Sequence, residues 1–173
     1  MQDILRRAAL FLFLAFGTCV SAQAQTPASN LAGIKQLHER IDVAFNLTGA
    51  GEFGLDAGEI TKIVRAALTS TAVVFAKGDH TTPSIKVLIA GESSGGGGSY
   101  EVELLVTAMV PSPFANERSI QAILWRDSVK GAHHLRFDPA AKEIVKPSGP
   151  MKERVYDSVR EISLRLASAF KAT

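Results

Sequence analysis

Cysteine is almost missing from this chain: Cys19 is the single one among 173 residues. It lies in an amino-terminal stretch with the three parts of a secretory signal: basic Arg6 and Arg7, the apolar run Ala8–Phe16, and small residues in Ala22-Gln23-Ala24. Cleavage is expected after Ala24. The chain that remains then has no cysteine and forms no disulfide, so its core must hold it together. Cleavage and lipidation at Cys19 itself is disfavoured. Phe16-Gly17-Thr18 lacks a leucine-like residue three positions before the cysteine and has no Gly or Ala directly before it.

Long apolar runs are missing too. The nine residues of Ala8–Phe16 fall short of the ~20 that a membrane-spanning helix needs, so no transmembrane span is expected. Nor is there an excess of one charge. The formal net charge is +2, and without the first 24 residues it is +1, which gives no global field for nucleic acid. The placement is uneven, however. Residues 25–116 carry six basic and nine acidic side chains, and residues 117–171 carry eleven and seven.

What is present reads as residues 1–24 signal, 25–33 a flexible leader and 34–171 a single domain, ordinary in length for one core. Leu37–Leu47 alternates apolar and polar residues, which predicts one continuous strand. Asp56 and Glu59 form a capping-box-like start. Ile60, Ile63, Val64, Ala67 and Leu68 then make one apolar helix face. Thr71–Phe75 reads as a short buried strand, with the strand–helix–strand order favouring a parallel crossover. Ile85, Val87 and Ile89 mark the next strand. A glycine-rich turn, Ser93–Ser99, leads to a long strand over Tyr100–Val110, whose second half carries Leu105 and Met109 on its polar side, as if covered on both faces. Ser119–Asp127 is another strand candidate, Ser128–Pro150 a long polar loop, and Val155, Val159, Ile162, Leu166 and Phe170 space out a closing helix. The sum is an α+β fold: a mixed, mostly antiparallel sheet of about five strands with two helices packed on one face.

Few residues invite chemistry. Gly95–Gly98 is followed by Tyr100-Glu101-Val102-Glu103, not by the Lys and helix that a phosphate loop needs, so it reads as a mobile hairpin tip. His80 beside Thr81, Thr82 and Ser84 can be drawn as base and nucleophile, but no nucleophile elbow or third group accompanies it. Glu101 and Glu103 share a strand face about 7 Å apart, more in keeping with a solvated face than with paired acid and base. The histidines match no zinc spacing, so no metal or other cofactor is expected. The best candidate surface is the basic loop, with Arg126, Lys130, His133, His134 and Arg136 as its binding residues and an envelope protein or anionic surface as its partner.

The order strand, helix, strand, hairpin, strand, terminal helix behind a signal peptide resembles small exported bacterial domains of uncharacterised function. It is also distantly similar to the amino-terminal domain of the translocation protein TolB and to the LpoB-type regulators of cell-wall synthesis. The resemblance covers most of residues 31–171, is one of pattern, and carries over no functional residue. It implies a periplasmic, non-catalytic accessory or binding role in the cell envelope. The alternative is a small periplasmic hydrolase or metal-binding protein that uses the loop histidines.

Overall fold

The structure, a computed structural model, describes residues 28–48, 53–94, 97–112, 119–134, 136–138, 143–145 and 151–173. The signal segment and its cleavage site lie outside them. A 3₁₀ turn at Ala28–Leu31 is followed by β1 (Gln36–His38), β2 (Ile41–Thr48), α1 (Ala57–Leu68), β3 (Val74–Ala76), β4 (Ser84–Ser94) and β5 (Gly97–Pro111). Then come β6 (Ser119–His134), β7 (Arg136–Asp138), β8 (Glu143–Val145) and α2 (Met151–Lys171). The main sheet has the order β2-β4-β5-β6, with β2 parallel to β4 and the other pairs antiparallel. β1 pairs in parallel with β3, and β7 pairs antiparallel with β8. The α+β class read from the sequence is the one observed.

Both helices pack on one face of the main sheet because each has a single apolar stripe to hide. Ile60, Val64 and Leu68 of α1, with Val155, Val159, Ile162 and Leu166 of α2, form one buried cluster with Ile85, Val87 and Ile89 of β4 and Val102, Leu104 and Val106 of β5. Fully burying such a side chain contributes about 1.5–3 kcal/mol. Asp56 caps α1 by accepting the Glu59 N–H at 2.7 Å, while Glu59 turns to Lys62 at 3.2 Å rather than back to the cap. The Asp56 N–H donates to the Tyr156 hydroxyl at 3.0 Å, tying the start of α1 to α2.

Several expectations need correction. The strand expected over Leu37–Leu47 is two strands in different sheets, broken where the Arg40 N–H donates to His38 Nδ1 (3.0 Å) and the Glu39 N–H to the Ala76 carbonyl (2.9 Å). Leu37 and Ile41 are both buried, so the alternation passes through the break unchanged. The expected buried strand at Thr71–Phe75 is the three-residue β3, with Val74 61% exposed. Arg65 covers its Phe75 ring at 4.7 Å. Part of the segment expected to be a loose leader is built in, since Leu31 is fully buried.

The long loop expected from Ser128 is in fact the second half of β6, followed by β7 and β8. Lys130 lies opposite Glu101, Ser128 opposite Glu103 and Gly131 opposite Tyr100. A polar strand is stable there because its partners on β5 answer each residue in charge or shape. The glycine run is likewise mostly ladder: Ser94 pairs with Gly97 and Ser93 with Gly98, leaving only Gly95 and Gly96 outside the described residues. A Cβ on Gly98 would lie 2.4 Å from the Glu92 carbonyl oxygen and 2.8 Å from the Met151 methyl. On Gly131 it would lie 2.3 Å from the Tyr100 ring.

Candidate functional site

The face of the sheet opposite the helices is the candidate site, and strand alternation decides what it displays. When β4 turns Ile85, Val87 and Ile89 to the core it turns Lys86, Leu88 and Ala90 outward; the ladder sets these beside Asp42, Ala44 and Asn46 of β2 and beside Leu105, Glu103 and Glu101 of β5. β6 completes the face with Arg126, Ser128 and Lys130. No described helix covers this side: α1 and α2 pack with the core cluster.

Charge on this face is arranged in pairs. Two cross from β6 to β5, Arg126 with Glu103 and Lys130 with Glu101 at 3.5 Å, and Arg40, just before β2, meets Asp42 two residues on at 2.9 Å. Exposed pairs such as Arg40–Asp42 and Lys130–Glu101 contribute about 0–1 kcal/mol each, so they shape the surface more than they stabilise it; Glu103 is more enclosed, its side chain 15% exposed. Further along, Lys86 Nζ donates to Gln121 Oε1 at 3.2 Å, and Gln121 Nε2 donates to the Thr107 hydroxyl at 3.3 Å. The Ser84 and Thr107 hydroxyls are 3.3 Å apart. That polar cover, together with Arg126 on the neighbouring strand, explains why Thr107 and Leu105 are buried on a side that no described helix covers. Double coverage thus holds for Leu105–Ala108, while Met109, expected to share it, is only half-buried.

Between the paired charges and the edge strand the face is apolar. A shallow depression of about 310 Å³ is lined by Ala44, Asn46, Leu88, Ala90, Glu101, Glu103 and Arg126. Leu88 stands 38% exposed within it, and Ile123 is 47% exposed further along β6. The depression can bury an apolar group flanked by polar ones. Leu88 was the signal for it in the sequence, the one large apolar residue on the outward side of β4.

Of the residues expected to bind, Arg126 and Lys130 come together on this face but not on a loop; both sit on β6, Lys130 ion-paired with Glu101 directly opposite and Arg126 with Glu103 on the diagonal. His133 and His134 are the last residues of β6, opposite Gly98 and Gly97, and Arg136 opens β7. Their side chains lie outside the described part. The expected basic loop is thus a strand whose two described cations are already matched.

The His80 turn shows different chemistry. Asp79 Oδ1 accepts from the Thr81 hydroxyl (2.6 Å), the Thr81 N–H (2.9 Å) and the Thr82 N–H (3.2 Å). The Thr81 hydroxyl, then its amide, hold the Asp79 carboxyl at about 2, below its ordinary value. Of the hydroxyls beside His80, those of Thr81 and Thr82 donate to Asp79 in closing the turn, and that of Ser84 lies against Thr107. Among the described residues, no three His, Cys, Asp or Glu side chains converge on a possible metal position. No described helix is long and apolar enough to cross a membrane.

No protein-family description matches the chain, and no curated protein does. Among solved structures it is similar to the rare lipoprotein B from Shewanella oneidensis at 12% identity, over 75% of this chain and 91% of that one, with a TM-score of 0.31. It is similar also to an uncharacterized protein at 10% identity, over 77% of this chain and 89% of the other, with a TM-score of 0.34.

Proposed function

We propose that this protein is a non-catalytic accessory or binding protein of the bacterial cell envelope. Residues 1–24 export it to the periplasm, and residues 34–171 act as one α+β domain that holds a protein partner against the open face of its sheet. One observation carries the reading: among the described residues helices cover the four-stranded sheet on one side only, and its other side holds an apolar depression around Leu88 rimmed by the Glu101–Lys130 and Glu103–Arg126 pairs. An apolar centre inside a polar rim is the anatomy of a protein-binding patch. An anionic surface is a poorer fit, because the Arg126 and Lys130 charges are met within the face. The hydrolase alternative gains nothing from the His80 turn, where Asp79 takes the Thr81 hydroxyl.

Photo-crosslinking in intact cells tests this. A crosslinking side chain at Leu88 is expected to capture one discrete envelope protein, and the same group at Leu164, exposed on α2, is expected not to. Capture from Leu164 but not Leu88, or from neither, would refute the assignment.

A further inference from the structure

The two edges of the main sheet are built differently. β6 is bulged at Leu124, where the ladder with β5 shifts register, carries Arg126 and Lys130, and has the 3₁₀ turn packed against it. Bulges, cations and covering segments are the usual means of keeping an edge strand from pairing. Among the described residues α1 borders β2 only with small residues, and β2 has neither bulge nor cation. Its eight residues pair with β4 without a shift, contain no proline, and include one charge, Asp42, which Arg40 already meets. Among the described residues no strand pairs with its outer side. An open cleft of about 690 Å³ runs along its first half, walled by the small residues Ala57, Gly58 and Thr61 of α1. Phe45, on the same face as buried Ile89, is left 41% exposed at this edge.

We infer that a second copy of this chain fills the edge, with β2 antiparallel to β2 about a two-fold axis beside Ala44, so that two four-stranded sheets become one of eight. Sequence complementarity selects both the occupant and the register. Centred on Ala44, the pairing sets Val43 against Phe45 and Ile41 against Leu47 of the other copy, which continues the apolar side across the junction. On the open side Asp42 meets Asn46, a carboxylate against an amide donor, and Ala44 meets itself. Moving the centre to Asp42 places like charges opposite each other, which destabilises a strand pair. Moving it to Phe45 pushes Ile41 past the end of the partner strand. The isologous contact closes on itself and leaves no free β2 edge.

Purified protein carrying Cys19→Ser tests this without any other partner. Analytical ultracentrifugation is expected to give a dimer at micromolar concentration, and Ala44→Lys, which brings two cations together at the axis, is expected to halve the mass. Ala44→Cys is expected to form an interchain disulfide under mild oxidation, since opposed residues fall within the 4.4–6.8 Å Cα separation that a disulfide tolerates. Thr48→Cys is expected not to, because in this register two Thr48 residues lie about 26 Å apart along the strand direction. A monomer at all concentrations, a dimer indifferent to Ala44→Lys, or equal crosslinking at the two positions overturns the inference. The Cys variants keep the test valid should Ala44→Lys fail to fold.

Discussion

The two faces of the main sheet are made from alternate residues of the same strands, yet they obey different rules. On the helix side, Val102, Leu104 and Val106 are fully buried under α1 and α2. On the other side Glu101 and Glu103, one position removed, stand in ion pairs with Lys130 and Arg126. The first face is fixed by how much apolar area it removes from water. The second contributes little to stability and is free to serve recognition. A change there should alter what the protein touches; a change on the first should alter whether it folds.

The sharpest way to break this contrast is on β5 itself. Leu104→Asp places a charge with no partner in the core and is expected to abolish cooperative thermal unfolding, whereas neighbouring Glu103→Ala should cost no more than about 1 kcal/mol. Circular dichroism melts of the two variants would decide; similar losses would mean that the open face is structural. Next in size is Gly131→Ala, expected to cost about 1–3 kcal/mol by overpacking against Tyr100. The loss should shrink in a Tyr100→Leu background, and a double-mutant cycle in denaturant reads that coupling. Leu88→Ser should shift stability by no more than about 0.5 kcal/mol while removing the crosslinked partner. The smallest effect lies away from both faces. Asp79, held at about 2, contributes stability above its unfolded value near 3.8 that is lost as pH falls through about 2. Thr81→Val should move its titration midpoint, followed by nuclear magnetic resonance, upward toward the ordinary value.

These contrasts also explain which parts of the molecule were legible in its residues. Both helices declared themselves because one stripe at a spacing of 3.6 faces one neighbour, and Asp56 with Glu59 marked where the first begins. The end of β6 was hidden because its support comes from far away. Asp127, on the core side of that strand, is held by Arg165 of α2 at 3.2 Å, and the Asp127 hydrogen bond raises the Arg165 pKa above its ordinary value. Gly131 is filled by Tyr100, thirty-one positions earlier. A polar strand whose partners lie dozens of residues away looks like a loop when read locally. The open face is half legible: alternation puts Glu101 and Glu103 on one strand face, but the polar run from Ser128 reads as a loop, which hides the pairing of Lys130 with Glu101. The break at Glu39 and Arg40 left no trace, because strands on either side of a turn can bury the same alternate positions.

The glycines at the far end of the sheet carry a consequence for the order of folding. Gly91 lies under the Phe53 ring, Gly98 against Met151 and Gly131 under Tyr100, so that end gets its packing atoms from a loop, a helix and a facing strand. Glycine lowers the local preference for extended backbone, and contacts between distant residues form only after the chain has closed long loops. The glycine end of the β4–β5 ribbon should therefore gain its final packing last, when the start of α2 arrives. In native-state hydrogen exchange the amides of Glu92 and Ser99 should open at lower free energy than those of Val87 and Leu104; the reverse order would show that the glycine end is held by more than these three contacts.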